Sequence, residues 1–334
     1  MKAAEAAIGV IGGSGLYELE GLSDVRWQKV QTPFGAPSDA YCVGRFGDRR
    51  VIFLPRHGRG HRVTPSELNF RANIWGLKFL GAQWVISISA VGSMKEAIRP
   101  LDLVVPDQFF DATRRRVSSF FGDGIVAHVG MAEPVCPDLA AALGKAAQET
   151  SATVHRGGTY ICIEGPQFST RAESRIYRSW GVDVIGMTNM PEAKLAREAE
   201  LCYATLALAT DYDVWHETHA AVSVEAVIQN LLRNVATAKD VLRRVIPVIA
   251  APRTCECSSL LKNAVITNPN AFPPATRKKL GLLLDPYFPR GGTRVPRGRN
   301  RVPRQRNRIP RERSRRAPAA GHPRSKPDSR TPLQ

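Results

Sequence analysis

The chain has 334 residues, 43% of them hydrophobic, enough for one large domain or two ordinary ones. It holds no apolar run long enough to cross a bilayer, and "MKAAEAAIGVIGG", with Glu5 inside it and glycines at its end, reads as a first strand rather than a secretory signal. The net charge of +17 is uneven: residues 290–334 carry 14 Arg and one Lys against Glu312 and Asp328, which is +13 and leaves +4 for the rest.

In chain order the apolar, β-branched runs are "AIGVIGG" (7–13), "RVIFLPRHG" (50–58), "WVISISAVG" (84–92), "DLVVPDQF" (102–109), "TYICIEGP" (159–166), "DVIGMTNM" (183–190) and "YATLALATDYD" (203–213). Helical patterns lie between them. "TPSELNFRANIWGLKFLG" offers Thr64 or Ser66 as a cap, and "CPDLAAALGKAAQETS" and "PEAKLAREAELC" are rich in helix formers. "SVEAVIQNLLRNVATAKDVLRRVIP" places Val224, Val227, Ile228, Leu231 and Leu232 on one face. Beyond Pro247 the pattern predicts one or two closing helices. Strands alternating with helices predict an α/β domain over residues 1–288, its sheet largely parallel, mostly buried and flanked by helices, with ligands at the carboxyl ends of the strands. Residues 289–334 are Arg/Pro-rich and are expected to be a disordered basic tail. The six cysteines, scattered in apolar runs, suit reduced core thiols and a cytoplasmic location.

Each strand end carries unusual residues. "GVIGGSGLYE" could cradle an anion with glycine N–H groups and Ser14, or be a tight turn. Its G-x-G-x-x-G match fails at Glu18, which disfavours a dinucleotide-dependent oxidoreductase. "PRHGRGH" groups Arg56, His57, Arg59 and His61. The glycines between the histidines disfavour a helical zinc pair, leaving an anion site around Arg56 or a solvated basic loop. Ser89 and Gly92 in "ISISAVGS" offer a hydroxyl and a close backbone approach. In "IEGPQFSTRAESR", Glu164 and Phe168 could hold a sugar and stack a base, or Glu164 could pair with Arg171. Asp211 and Asp213 close the last strand, on one side of it if the strand continues. Such a pair suits metal ligation, glycosidase chemistry or recognition of a purine edge; it also suits a plain turn cap.

Together, "GVIGGSGL", "PRHGRGH", "NFRANIWGLK", "SAVGS", "MAEPVCP", "IEGPQFSTRAES", "GMTNMPEAKLAREAE" and "TDYDVWHE" resemble, in order and spacing over about residues 8–285, the S-methyl-5′-thioadenosine phosphorylases within the trimeric purine nucleoside phosphorylase family. The resemblance implies an α/β fold with a mixed central sheet, a homotrimer, and no metal or organic cofactor, inorganic phosphate being the co-substrate. It implies Asp211 and Asp213 as the catalytic pair beside the base edge, with Thr210 nearby. Ser14, Arg56, His57, Ser89, Ala90 and Thr188 would hold phosphate. Ala90, Phe168 and Met187 would surround purine and ribose. Val224, Val227 and Ile228 would line a methylthio pocket completed by His128 of a neighbouring subunit. The alternative within the fold is a 6-oxopurine nucleoside phosphorylase, for which a hydrogen-bond donor would serve better than Asp211. Cys255-x-Cys257 resembles a pair that some thermophile relatives oxidise; two thiols are expected here. The basic tail has no counterpart in the family pattern, and contact with nucleic acid is a further reading of its charge.

Overall fold

The strands run in chain order as β1 (Ala7–Gly12), β2 (Leu22–Gln28), β3 (Tyr41–Phe46), β4 (Arg49–Pro55), β5 (Ala82–Ser93), β6 (Leu103–Val105), β7 (Gln108–Asp111), β8 (Val154–Arg156), β9 (Thr159–Cys162), β10 (Val184–Gly186) and β11 (Cys202–Asp211). The helices are α1 (Phe70–Phe79), α2 (Pro137–Gln148), α3 (Arg171–Ser179), α4 (Asn189–Glu198), α5 (Val224–Val248), α6 (Pro274–Lys279) and α7 (Gly281–Leu284). This computed structural model describes residues 5–13, 15–216 and 224–289, with the backbone alone for 224–227. Ser14, the side chains of Val224 and Val227, and the basic tail lie outside the described residues, and so do the expectations placed on them. The elements above all belong to one compact unit, Met1–Arg290.

One mixed sheet organises that unit. Its order is β2-β3-β4-β1-β5-β10-β9-β7, and β11 branches from β5 to carry β6 and β8. β1 is buried throughout between β4 and β5, both parallel to it. Its side chains alternate between two cores. Ala7 and Ile11 join the apolar layer under α1 and α4, while Ile8 and Val10 join the layer under α2 and α5. The sheet is less parallel than alternating strands and helices suggest, because β2–β3–β4, β5–β10 and β6–β11 pair antiparallel. β2 does not stand out in the sequence, for a physical reason. As an exposed edge strand it carries Asp24 and Arg26 outward, which protects the edge and erases the apolar signal.

Local signals resolve other differences. α1 begins at Asn69, whose side chain accepts the Ala72 N–H, and not at Thr64 or Ser66. Thr64 instead donates its N–H and hydroxyl to Glu67 in a turn of its own. "DLVVPDQF" divides at Pro106 and Asp107 into β6 and β7, which pair with different strands. α3 has the full capping box between Thr170 and Glu173. The buried stripe of α5 runs through Ala238, Val241, Leu242 and Val245; Leu231 joins it in part, whereas Ile228 and Leu232 are exposed, so the expected single face is split. Two 3-10 turns, Glu256–Ser259 and Pro269–Ala271, precede the short closing helices.

One irregularity shapes the end of β11. The strand tracks β5 residue for residue up to Ala209 opposite Val91, but Asp211 faces Gly92. Thr210 is therefore an extra residue, a bulge that re-aims the strand end.

Candidate active site

The C-terminal ends of β1, β4, β5, β9, β10 and β11 bring most of the sequence-singled residues to one region. The β11 end is built around the bulge. The Thr210 hydroxyl lies 2.6 Å from Asp211 Oδ2 and 3.2 Å from the Val91 carbonyl, so it has two acceptors to choose between. The Asp213 N–H donates to Asp211 Oδ1 at 2.8 Å. Asp213 does not sit beside Asp211 by strand alternation as expected. The strand ends at Asp211, and Asp213 adopts a left-handed φ of 52°, turning back over its neighbour. Gly92 makes the convergence possible: a Cβ there would come 3.0 Å from Asp211 Oδ1 and 3.4 Å from Asp213 Cβ. Helix α5 fastens the strand end, with Asn230 donating to the Thr210 carbonyl and Asn234 to that of Ala209.

Hydroxyl and N–H groups, and no cation among the described residues, surround the two carboxyls. Burial pushes the Asp211 carboxyl up, and the Thr210 hydroxyl and Asp213 N–H only partly offset this. Burial likewise pushes Asp213 up, opposed by Ser174 and the Val214 N–H and reinforced by the charge of Asp211. Both carboxyls are thus shifted toward the protonated form.

The β4 end is the opposite case. Arg56 is 3% exposed. Its Nε donates to Glu192 Oε1 at 2.6 Å, and its Nη2 donates to Ser87 Oγ at 2.6 Å and to Glu192 Oε2 at 3.2 Å. Its Nη1 donates to the Ile88 carbonyl at 2.8 Å. With five N–H donors in all, the guanidinium has at most one left for an anion, so it cannot grip phosphate bidentately while Glu192 holds it. Glu192 also accepts from Ser87 and from the buried Tyr203 hydroxyl. Next door, burial and the Arg56 charge lower His57 to about 4. Its Nδ1 lies 2.9 Å from the Val63 carbonyl, which can only accept, so Nδ1 carries the proton and Nε2 is a bare acceptor. His61 stacks on it at 4.4 Å.

A hydroxyl cluster joins these two ends. Ser89 Oγ is 3.1 Å from Tyr160 Oη and 3.3 Å from Thr188 Oγ1, on three different segments. Gly186 leaves the room that the Tyr160 hydroxyl occupies. Ala90, the next residue of β5, is exposed.

The Glu164 loop is organised by a residue that no sequence motif singles out. Arg116, and not Arg171, is the partner of Glu164, at 3.1 Å. Arg116 also donates to the Glu164, Met187 and Met190 carbonyls at 2.6, 2.7 and 2.7 Å, locking β9, β10 and the start of α4 together. Burial would raise Glu164, but the Arg114 and Arg115 N–H groups and Arg116 outweigh it and bring the carboxyl to about 2. Glu164 is thus a loop anchor. Phe168 beyond it is 47% exposed. Ile228 and His128 are exposed as well, and the His128 backbone pairs with Ala264 rather than with the Asp211 region. Tyr160, Glu192, Arg116 and Gly186 are the additions of the structure. Only the apolar setting of Glu192 in "NMPEAKLA" hinted at a buried charge.

This assembly of strand-end anion and carboxylate groups on a mixed sheet has a family. The Phosphorylase superfamily model matches residues 7–247, and the chain belongs to that family. Within it, the chain is 60% identical over 284 residues to the S-methyl-5′-thioadenosine phosphorylase of Geobacter sulfurreducens, covering 85% of this chain and 99% of that one. It is 56% identical over 284 residues to the enzyme of the same name from Koribacter versatilis, covering 85% and 97%. Among solved structures, a methylthioadenosine phosphorylase from an antarctic soil metagenomic library superposes with a TM-score of 0.81 at 50% identity, covering 85% of this chain and all of that one. The Schistosoma mansoni methylthioadenosine phosphorylase in complex with adenine superposes with a TM-score of 0.73 at 36% identity, covering 78% and 98%.

Proposed function

We propose that the chain catalyses the reversible phosphorolysis of S-methyl-5′-thioadenosine to adenine and 5-methylthioribose 1-phosphate, with Asp211 as the acid that protonates purine N7. The observation that carries the reading is the uncompensated carboxyl pair over Gly92. An adenine edge offers an N6 donor beside the N7 acceptor. A carboxyl accepts from the first and, when protonated, donates to the second. The Thr210 hydroxyl supports this role. With Asp211 ionised it donates to the carboxylate; with Asp211 protonated it can turn to the Val91 carbonyl and accept.

The sugar passes through a cation-like transition state between leaving base and entering phosphate, so positioning and charge do the catalytic work. Ser89, Thr188 and the Ala90 backbone would receive phosphate, together with Ser14 of the "GGSG" stretch. His57 Nε2, as an acceptor, suits the P–OH of monohydrogen phosphate. Arg56 acts as a buried positive charge fixed by Glu192 rather than as a clamp. Met187 and Phe168 would flank ribose and base, and Val224, Val227 and Ile228 the methylthio group. One such apolar contact is worth about 1–3 kcal/mol, so the preference over a 5′-hydroxyl is strong without being absolute. Exposure of Phe168 and Ile228 in the single chain suits closure by a neighbour in a homotrimer, which would deliver His128. No metal or organic cofactor enters this scheme, and no described helix is long and apolar enough to cross a membrane. We place the enzyme in the cytoplasm and the basic tail outside the catalytic unit.

Phosphorolysis of methylthioadenosine, methylthioinosine and inosine, each with and without phosphate, tests the reading. Phosphate-dependent release of adenine from the first supports it; activity on the latter two alone overturns it. Removing residues 290–334 should leave kcat/KM within about twofold, and a large fall would bring the tail into the active enzyme.

A further inference from the structure

Four of the six cysteines converge. The Sγ atoms of Cys136, Cys202, Cys255 and Cys257 all lie within 4.8 Å of one another, from three separate parts of the fold. Cys136 precedes α2, Cys202 opens β11, and Cys255 and Cys257 flank the start of the 3-10 turn after α5. Three are buried, and Cys255 is partly so. Cys202 and Cys255 approach to 3.3 Å, too far for a covalent bond, and all four are free thiols.

We infer that these four cysteines form a structural binding site for one thiophilic divalent cation of the zinc class. Tetrahedral zinc with Zn–S bonds of about 2.3 Å sets its sulfurs roughly 3.8 Å apart. Four sulfurs already gathered within 4.8 Å need only small inward movements to reach that arrangement. Two disulfides would instead sort them into two bonded pairs, and no such sorting is present. The surroundings suit a four-thiolate centre, which carries a net charge of −2. Arg197 Nη1 lies 3.9 Å from Cys257 Sγ as a donor, and the N-terminus of the twelve-residue α2 points its free N–H groups toward the Cys136 end. A cavity of about 100 Å³ lined by Cys136, Cys255, Trp84, Arg253 and Thr254 gives the cation a way in. On binding, the thiols release their protons to solvent as the four S–metal bonds form.

Four protein ligands leave no open position, so the centre is structural. It sits at the opposite end of β11 from Asp211, nine residues or about 30 Å along the strand. There it would tie the segment after α5 to β11 and α2. A closed site at that distance takes no part in the chemistry. The four thiols do not stand out as a set in the sequence, because Cys136 and Cys202 are far from Cys255-x-Cys257 along the chain.

The test uses the full chain purified without chelator from zinc-supplemented cells, with metal content measured by atomic emission. About one zinc per chain is expected, with a Tm lowered when a strong chelator removes it. Cobalt in its place should show the intense visible and near-ultraviolet bands of a tetrahedral thiolate site. Cys202→Ser and Cys257→Ser should each lower zinc retention by at least about tenfold. Should either fail to fold, Cys255→Ser, at the most exposed ligand, and cobalt titration of the wild-type chain carry the same test. Metal-free protein with four titratable thiols in this cluster overturns the inference. An intact mass lighter by two or four hydrogens, meaning disulfides, overturns it equally, as does zinc that survives the serine substitutions unchanged.

Discussion

The ends of β4 and β11 pose the same electrostatic problem and solve it in opposite ways. Both put ionisable side chains into an apolar sheet end. Arg56 is compensated completely, by Glu192, Ser87 and a backbone carbonyl. Asp211 and Asp213 meet hydroxyls and N–H groups instead, burial shifts both toward the protonated form, and the charge of Asp211 adds to the shift of Asp213. A compensated charge is fixed in place and serves as scaffold and field. An uncompensated one keeps its free energy available for a change of protonation, which is what an acid catalyst needs.

The largest effect should come from removing the uncompensated group. Asp211→Ala should lower kcat/KM for methylthioadenosine by about 10²–10⁴-fold, the usual contribution of a general acid. Asp211→Asn should lose adenine chemistry while shifting relative preference toward 6-oxopurines, measured as the ratio of the two kcat/KM values. If Asp211→Ala keeps full activity, the pair is a turn cap and the contrast between the two strand ends collapses. Breaking the compensated end should act on stability instead. Glu192→Gln leaves Arg56 charged and half-partnered in the core, so denaturant unfolding should show a loss of about 3–5 kcal/mol. An unchanged midpoint would mean that Arg56 can reach water, against its 3% exposure.

The contrast was only half visible in the sequence. Long, apolar, centrally placed strands such as β1, β5 and β11 were legible because both faces are buried. So were the strand-end residues themselves, since Gly, Ser, Arg and Asp interrupt apolar runs there. What could not be read was who compensates whom. Glu192 lies 136 residues from Arg56, and Arg116 lies 48 from Glu164. Nothing local distinguishes Arg116 from Arg171 as the partner. The Thr210 bulge was equally hidden, because it exists only relative to the register of β5. Four cysteines read one at a time looked like core thiols; their convergence is a property of topology.

Gly92 sharpens the comparison from the backbone side. Adding a methyl group there brings it 3.0 Å from both Asp211 Oδ1 and Ile185 Cγ2, with ordinary strand dihedrals, so the cost falls on position and not on backbone strain. Gly92→Ala should fold, lower kcat by about tenfold and change the alkaline limb of its pH profile, where the general acid loses its proton, because the carboxyl must shift a few tenths of an ångström. A pH profile identical to wild type would show that the two carboxylates do not depend on this close approach.

The smallest effect is a gain. In Asp211→Asn the amide oxygen can take the Asp213 N–H, and the amide nitrogen can donate to Thr210 Oγ1 while that hydroxyl turns to the Val91 carbonyl. The side chains at 210 and 211 then keep their partners, and the buried charge of Asp211 is gone. The folded-state pKa of Asp211 is raised, so whatever stability its protonated form contributes is fully present below the ordinary carboxylate range and is lost as pH rises through the raised value. At neutral pH the wild type therefore carries a penalty that the asparagine variant lacks. Asp211→Asn should melt slightly higher than wild type at about pH 7, and the difference should vanish by about pH 3. A variant that melts lower at neutral pH would mean that Asp211 is held by compensation not seen at this strand end, as Arg56 is at the other.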